Sequence, residues 1–471
     1  MLNYSFKSHN QLTILILSIL LGLYSCAKDD MITSAEKKLN YSGTEISFDT
    51  IFTQTGSITR NLKIYNHHSK GIYIESIRLF HADSSEFLLN VNGVSGSTFS
   101  NIHIAANDSI YIFLQALLDE NTVDTLVGTT DSLIISYNTN VDFIPITVSG
   151  QDVIYCDSVS SGSITLSSAK PYIIKDSLVI NQGDTLTIEA GVRVYLHKYA
   201  NLIINGTLLI NGTYDKPVTF SSNRIEQAFE MLPGQWGSII FSETSTYNSI
   251  NYAIIQNGVN GLLMYGNEES QISLSLHNTI IRRMSSNSIF AQNAHIESSN
   301  CVFAQANNYI MALQGGTYSF KHITIVNTGT ISGRNYVPSI SLSNYNLSTE
   351  NNLLLESFSC ANSIIVGKMK NEIEIVSLNE ESLPVSFTNC LVKQDVSGDL
   401  ADYFSESFEY DAEKNLFRNI QEDNFALDTL SQAKDTGNIQ IAQDVPLDIR
   451  AQSRLEDTKP DLGAYEFFSE E

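Results

Sequence analysis

The chain of 471 residues is short of positive charge: 27 lysines and arginines stand against 51 acids, for a net charge of −24. Nucleic acid and anionic lipid repel such a surface, so neither is an expected partner. The acids are scattered and read as a solvated surface. Cysteine is scarce, at 5, and includes no C-x-x-C pair and no histidine at ligand spacing. Neither a metal site nor a disulfide framework is therefore expected. Glycine-rich phosphate loops and a nucleophile elbow are missing, and no cofactor is implied. The most apolar run, TILILSILLGLYS, falls short of the roughly 20 residues that a membrane span needs. Prolines number only 8, while Ile, Leu, Val, Thr and aromatics abound, a composition that favours strands over disorder.

That apolar run follows MLNYSFKSHNQ, which has one lysine and no acid, and ends in small and polar residues, as a secretory signal does. It stops at Cys26, where Leu23, Tyr24 and Ser25 resemble the lipobox of bacterial lipoproteins; Tyr24 departs from the smaller or aliphatic residue usual there. The resemblance implies cleavage after residue 25, lipid on the Cys26 thiol and Cys26 as the mature N-terminus, with hydrocarbon enough for stable anchoring. An ordinary signal peptide with an incidental cysteine is the plain alternative. Lys28, Asp29 and Asp30 resemble the lysine-plus-acids signal of Bacteroidota surface lipoproteins, which implies an outer-membrane protein facing the exterior.

Residues 26–41 lack periodicity and read as a lipidated tether. Over 42–152, seven alternating runs such as TRNLKIYNH and SIYIFLQALL are separated by turn clusters, the pattern of antiparallel strands with one buried face. The stretch FDTIFTQTGSITRNLKIYNHHSKGIYIESIRL resembles the immunoglobulin-like modules of Bacteroidota surface proteins, which implies a β-sandwich spacer. His67 and His68 sit together in a turn and read as a solvated loop.

From about Ser163 the character changes. Apolar triplets recur behind Gly, Asn and Asp turns, at Ala253, Thr279, Cys301, Ile323, Ser363 and Cys390, with spacings of 26, 22, 22, 40 and 27 residues. A repeat near 20 to 25 residues is what a β-solenoid coil requires. The spacing of 40 hides an inserted loop or an extra coil. Segments Leu186 to Val192, Asn201 to Leu208, Gly212 to Phe220 and Pro233 to Phe241 resemble, in order, the entry coils of right-handed parallel β-helix proteins of the pectate-lyase type. The fold expected is all-β: an N-terminal β-sandwich followed by a right-handed parallel β-helix over 163–467. In this register Cys301 and Cys390 point inward as small apolar residues. Asn278, Asn300, Asn362 and Asn389 precede four of the six triplets, where asparagine tolerates left-handed angles and can form a structural ladder. The final run, with Asp448, Arg454, Pro460, Asp461, Gly463, Ala464, Tyr465 and Glu466, resembles the closing segment of Bacteroidota β-helix proteins, which implies a cap over the open end, with Arg454 and Glu466 in structural ion pairs.

Catalysis on such a scaffold requires converging carboxylates, or a calcium-binding acid cluster or basic residue. No acid recurs at one register, so no catalytic residue is expected. Arg282 and Arg283, the only basic pair on a coil, form with Gln256 and Gln305 a candidate ligand face. With Lys321 and Lys368 they would make a patch for an acidic sugar; two solvated arginines are the plainer reading. The leading expectation is a non-enzymatic cell-surface lipoprotein, its partners the outer membrane through Cys26 and a polysaccharide or surface protein. The alternative is a polysaccharide lyase or glycoside hydrolase.

Overall fold

The computed structural model describes residues 31–468 except 121–126, 157, 168–169, 267–272, 379–381 and 457–458. The chain forms two compact units that divide between Gln151 and Asp152.

The first unit is a β-sandwich. One sheet holds strands Gly71–Leu79, Val127–Tyr137, Asn140–Gln151 and Ile46–Phe52; the other holds Arg60–Asn66, Asp108–Ala116 and Phe87–Val91. Alternate residues of both, among them Ile64, Ile74, Ile112 and Ile135, meet in one core. Two features depart from the sequence reading. The sheet gains Thr98–Ile104, whose mixed burial pattern lacks the alternation that marks the other strands. Residues 31–41 are no free tether: Met31–Ile32 pairs with Gly71–Ile72, Asn40–Tyr41 pairs with Ile64–Tyr65, and Leu39 is buried with its amide on the Tyr137 hydroxyl at 3.1 Å. One leucine and two-residue pairings suffice to anchor a stretch too short to show a period.

The second unit is a right-handed parallel β-helix with three flanks. Flank I has eleven strands, from Ile154–Tyr155 to Phe408–Glu409; flank II has nine, from Ser158–Val159 to Ile373–Val376; flank III has ten, from Ile164–Leu166 to Phe404–Ser405. Its first strands thus precede Ser163. Every pairing along the flanks is parallel, and successive coils add a strand to each flank until flank II stops at Ile373–Val376 while the other two run on. Inward residues stack into a continuous core that includes Trp236, Phe303, Cys301, Cys360 and Cys390. At the far end Phe358, Phe387 and Phe404 stack with ring centroids 5.2 and 5.1 Å apart, a spacing at which aromatic pairs attract.

All six triplets fall on flank I. Thr324–Asn327 pairs directly with Ile364–Gly367, so the spacing of 40 contains no extra coil. It contains two loops, 328–339 and 344–354, on either side of the flank II strand Ile340–Ser343. The first loop is tied down by Arg334, which bonds both oxygens of the buried Glu372 at 3.2 and 2.8 Å and the carbonyls of Asn327 and Val337. Gly367 leaves the room for this: a Cβ there would lie 2.2 Å from Glu372 Oε1.

The closing segment does not sit as a cap over the end of the coil. It lies along flank I, where Leu416, Phe425, Leu427, Leu462 and Ala464 pack on outward residues of successive strands, including Val302, Val326, Ile364 and Leu391. Those outward positions are apolar, so solvent exposure there would be costly and a cover is required.

Candidate functional site

The four residues of the candidate ligand face come together. Parallel pairing sets Gln256 beside Arg282. Arg283 and Gln305 follow in left-handed conformations, φ 58° and 57°, on neighbouring coils. They meet Asp423, another left-handed residue at φ 55°, just after the short helical turn Ile420–Glu422 of the closing segment. Arg282 Nη1 donates to Asp423 Oδ2 at 3.1 Å, Arg283 Nη2 donates to the same oxygen, and Gln305 Nε2 donates to Oδ1 at 2.7 Å. Gln256 Oε1 accepts from Arg282 Nε at 3.0 Å and from Arg283 Nη1 at 3.4 Å. Arg283 is buried, with 6% of its side chain exposed, so the pair are not two solvated arginines on an open strand. Burial and the adjacent Arg283 lower the pKa of Arg282, against the pull of Asp423. Asp423 was missed because it lies 140 residues beyond Arg283, in a segment without repeat signal.

The two lysines part company. Lys321 is taken by Asp444 at 2.6 Å, whereas Lys368 lines a cleft of about 370 Å³ together with Arg283 and Gln305.

Flank II offers a further outward surface. Its middle register runs Val179, Ile203, Ile240, Leu263, Phe290, Ala312, Ser341 and Glu374. The next runs Tyr265, Gln292, Gln314, Ser343 and Val376. Glu374 is the one carboxylate in these two registers. Ala312, Gln314, Ser341 and Ser343 are buried, so the open part of these registers includes Ile203, Ile240, Leu263, Phe290, Tyr265 and Gln292 on earlier coils. Such a surface can stack and hydrogen-bond, while the single acid of the two registers does not supply the paired carboxylates of glycoside hydrolysis.

The four asparagines take φ between 47° and 53°. Asn278 Nδ2 donates to Asn251 Oδ1 at 2.8 Å, Asn300 Nδ2 to Asn278 Oδ1 at 3.1 Å, and Asn389 Nδ2 to Asn362 Oδ1 at 2.9 Å. His322 holds the same left-handed place, φ 52°, and its Nε2 lies 3.0 Å from Asn362 Nδ2. The ladder is also the docking rail of the closing segment: Asn300, Asn362 and Asn389 donate to the carbonyls of Leu447, Asn438 and Thr436. Arg454, fully buried, bonds Asn300 Oδ1, Glu466 Oε2 and the Gly463 carbonyl, each at 3.0 Å. Gly463 sits at φ 84°, where a Cβ would lie 2.5 Å from Thr324 Oγ1. Burial and the Asp461 carboxylate push Glu466 up to about 8, although Arg454 draws it down.

Cys26, Lys28, Asp29 and Asp30 lie outside the described residues. Among the described residues no three His, Cys, Asp or Glu side chains gather as metal ligands, and no helix is long and apolar enough to cross a membrane. His68 Nε2 lies 3.0 Å from the Lys38 carbonyl, and His67 stacks on Tyr65.

The family model of a pectate-lyase-like β-helix domain matches residues 158–277. No curated protein matches the sequence. Among solved structures, the catalytic unit of a GH87 α-1,3-glucanase from Streptomyces thermodiastaticus is 9% identical over 70% of this chain and 74% of its own, with a TM-score of 0.27. A GH87 α-1,3-glucanase catalytic domain in complex with nigerose is 11% identical over 72% and 82%, with a TM-score of 0.25. The VesB protease of Vibrio cholerae is 12% identical over 25% of this chain, with a TM-score of 0.17, and the chain spans only 33% of that protein's length.

Proposed function

We propose that the chain is a non-enzymatic cell-surface lipoprotein, held in the outer membrane by a lipid on Cys26, whose β-helix presents a binding surface to a polysaccharide. The observation that carries the reading is the outward face of flank II, where the part-exposed Ile203, Ile240, Leu263, Phe290 and Tyr265 stand beside the amide of Gln292, with Glu374 the single acid of its two registers. That chemistry suits stacking against sugar rings and bonding to their hydroxyls. A surface protein is the other partner that such a face could take.

The pectate-lyase-like match favours a second reading, a polysaccharide lyase or glycoside hydrolase. Incubating the full chain with acidic and neutral polysaccharides separates them, with unsaturated products, new reducing ends and retention in affinity gels followed together. Retention without turnover is expected. Turnover on any member would replace the binding reading with the enzymatic one, and silence throughout would leave a protein contact.

A further inference from the structure

The cleft beside Asp423 has a charge and a hydrogen-bonding deficit that the rest of the molecule does not explain. Arg283, Gln305, Lys368, Gln421, Ile331 and Met231 line it, and none of its lining residues is an acid. Arg282 and Arg283 share the single carboxylate of Asp423, which leaves one positive charge over before Lys368 is counted. Glu230 acts on Arg282 electrostatically but does not line the cleft. In a chain of net charge −24 this is a local reversal of sign.

Gln305 adds a separate clue. It is only 8% exposed, and its Nε2 is committed to Asp423. A carboxylate can only accept, so the amide orientation is fixed and Oε1 must face elsewhere. That oxygen is buried without a hydrogen-bond partner, as is Arg283 Nε. A buried acceptor left unpaired is destabilising, and a ligand hydroxyl that reached it from the cleft would satisfy it.

We propose that this cleft is a subsite for an acidic sugar residue, whose carboxylate or sulfate pairs with Lys368, whose hydroxyl donates to Gln305 Oε1, and whose ring packs on Ile331 and Met231. The volume of about 370 Å³ suits one or two sugar residues. The proposal rests on the reading of the chain as a polysaccharide binder and names the chemical class it takes.

The test is calorimetric titration of the full chain with a hexuronate oligosaccharide, a sulfated oligosaccharide and a neutral one of equal length, repeated on Lys368→Glu and Ile331→Ala. Lys368 and Ile331 are exposed, so both variants should keep the melting temperature of the parent. The expected result is binding of one or both acidic sugars and not of the neutral one, weakened at least tenfold by Lys368→Glu and severalfold by Ile331→Ala. The uronate and sulfate arms tell which anion the cleft takes. Binding of the neutral sugar, unchanged in Lys368→Glu, would overturn the cleft and leave the polysaccharide reading standing. Binding of no saccharide would overturn both. Inorganic sulfate that competes as well as the sugar would reduce the cleft to a simple anion site and overturn the saccharide assignment.

Discussion

Arg283, at the end of a flank I strand, is bonded to Asp423, 140 residues further along the chain. The pair joins the coil to the segment that covers it. Replacing Asp423 by alanine leaves two guanidinium groups without a counter-ion, and Arg283 is buried. Loss of one partner from a buried pair costs about 3 to 5 kcal/mol. Denaturant unfolding of Asp423→Ala should show a loss of about 3 kcal/mol, and hydrogen exchange should show the amides around Phe425 losing protection first. A stability within about 0.5 kcal/mol of the parent would mean that the pair does not hold the segment.

The buried acids of the closing segment make stability depend on pH. Glu466 binds its proton up to about pH 8 when folded, against an ordinary value of 4.5. Between those values the folded chain keeps a proton that the unfolded chain has lost, so stability falls as pH rises. Asp461, also raised by burial, contributes in the same direction. His322, held well below its ordinary 6.5 by burial and Arg454, has the opposite slope, confined below that value. Glu466, raised to about 8, carries a downward slope through the window from pH 7 to 8.5. Urea midpoints across that window should fall for the parent and stay nearly level for Glu466→Gln; equal slopes would contradict the assignment.

Asn362 combines a left-handed backbone, φ 47°, with side-chain bonds to His322, Asn389 and Asn438. Glycine keeps the backbone and loses the bonds, while alanine loses both. Asn362→Gly should cost about 1 to 3 kcal/mol for the unpaired groups, and Asn362→Ala about 1 kcal/mol more for the left-handed angle. Equal losses in thermal unfolding would show that the bonds alone matter.

Cys26→Ala tests the lipid anchor directly. Fractionation should find the parent in the membrane pellet and the variant in the soluble fraction. A variant that still sediments with membrane would defeat the lipoprotein reading.

The coil was legible in the sequence because every turn must put the same kind of residue inside. Ala253, Thr279 and Cys301 reveal flank I by recurring, and Cys301 and Cys390 do face the core. The 40-residue gap was ambiguous because a loop leaves no inward signature; only the pairing of Thr324 with Ile364 excludes an extra coil. Arg282, Arg283, Gln256 and Gln305 could be grouped from their registers, yet what they bond to could not. Asp423 belongs to a segment whose contacts are all distant in sequence, and no period links it to the coil. For the same reason the run from Asp448 to Glu466 read as an end cap, although its partners, Asn300 among them, lie along the side. In the sandwich, Thr98–Ile104 escaped notice because its exposed and buried residues do not alternate.

The apolar flank beneath the closing segment sets an order of events in biosynthesis. Val302, Val326, Ile364 and Leu391 leave the ribosome before Leu416, Phe425 and Leu462, which shield them. Until residues 416–464 arrive, a growing coil carries a bare hydrophobic strip along its side. A chain that stopped short of this segment would therefore expose an apolar strip along an otherwise formed solenoid and be prone to self-association.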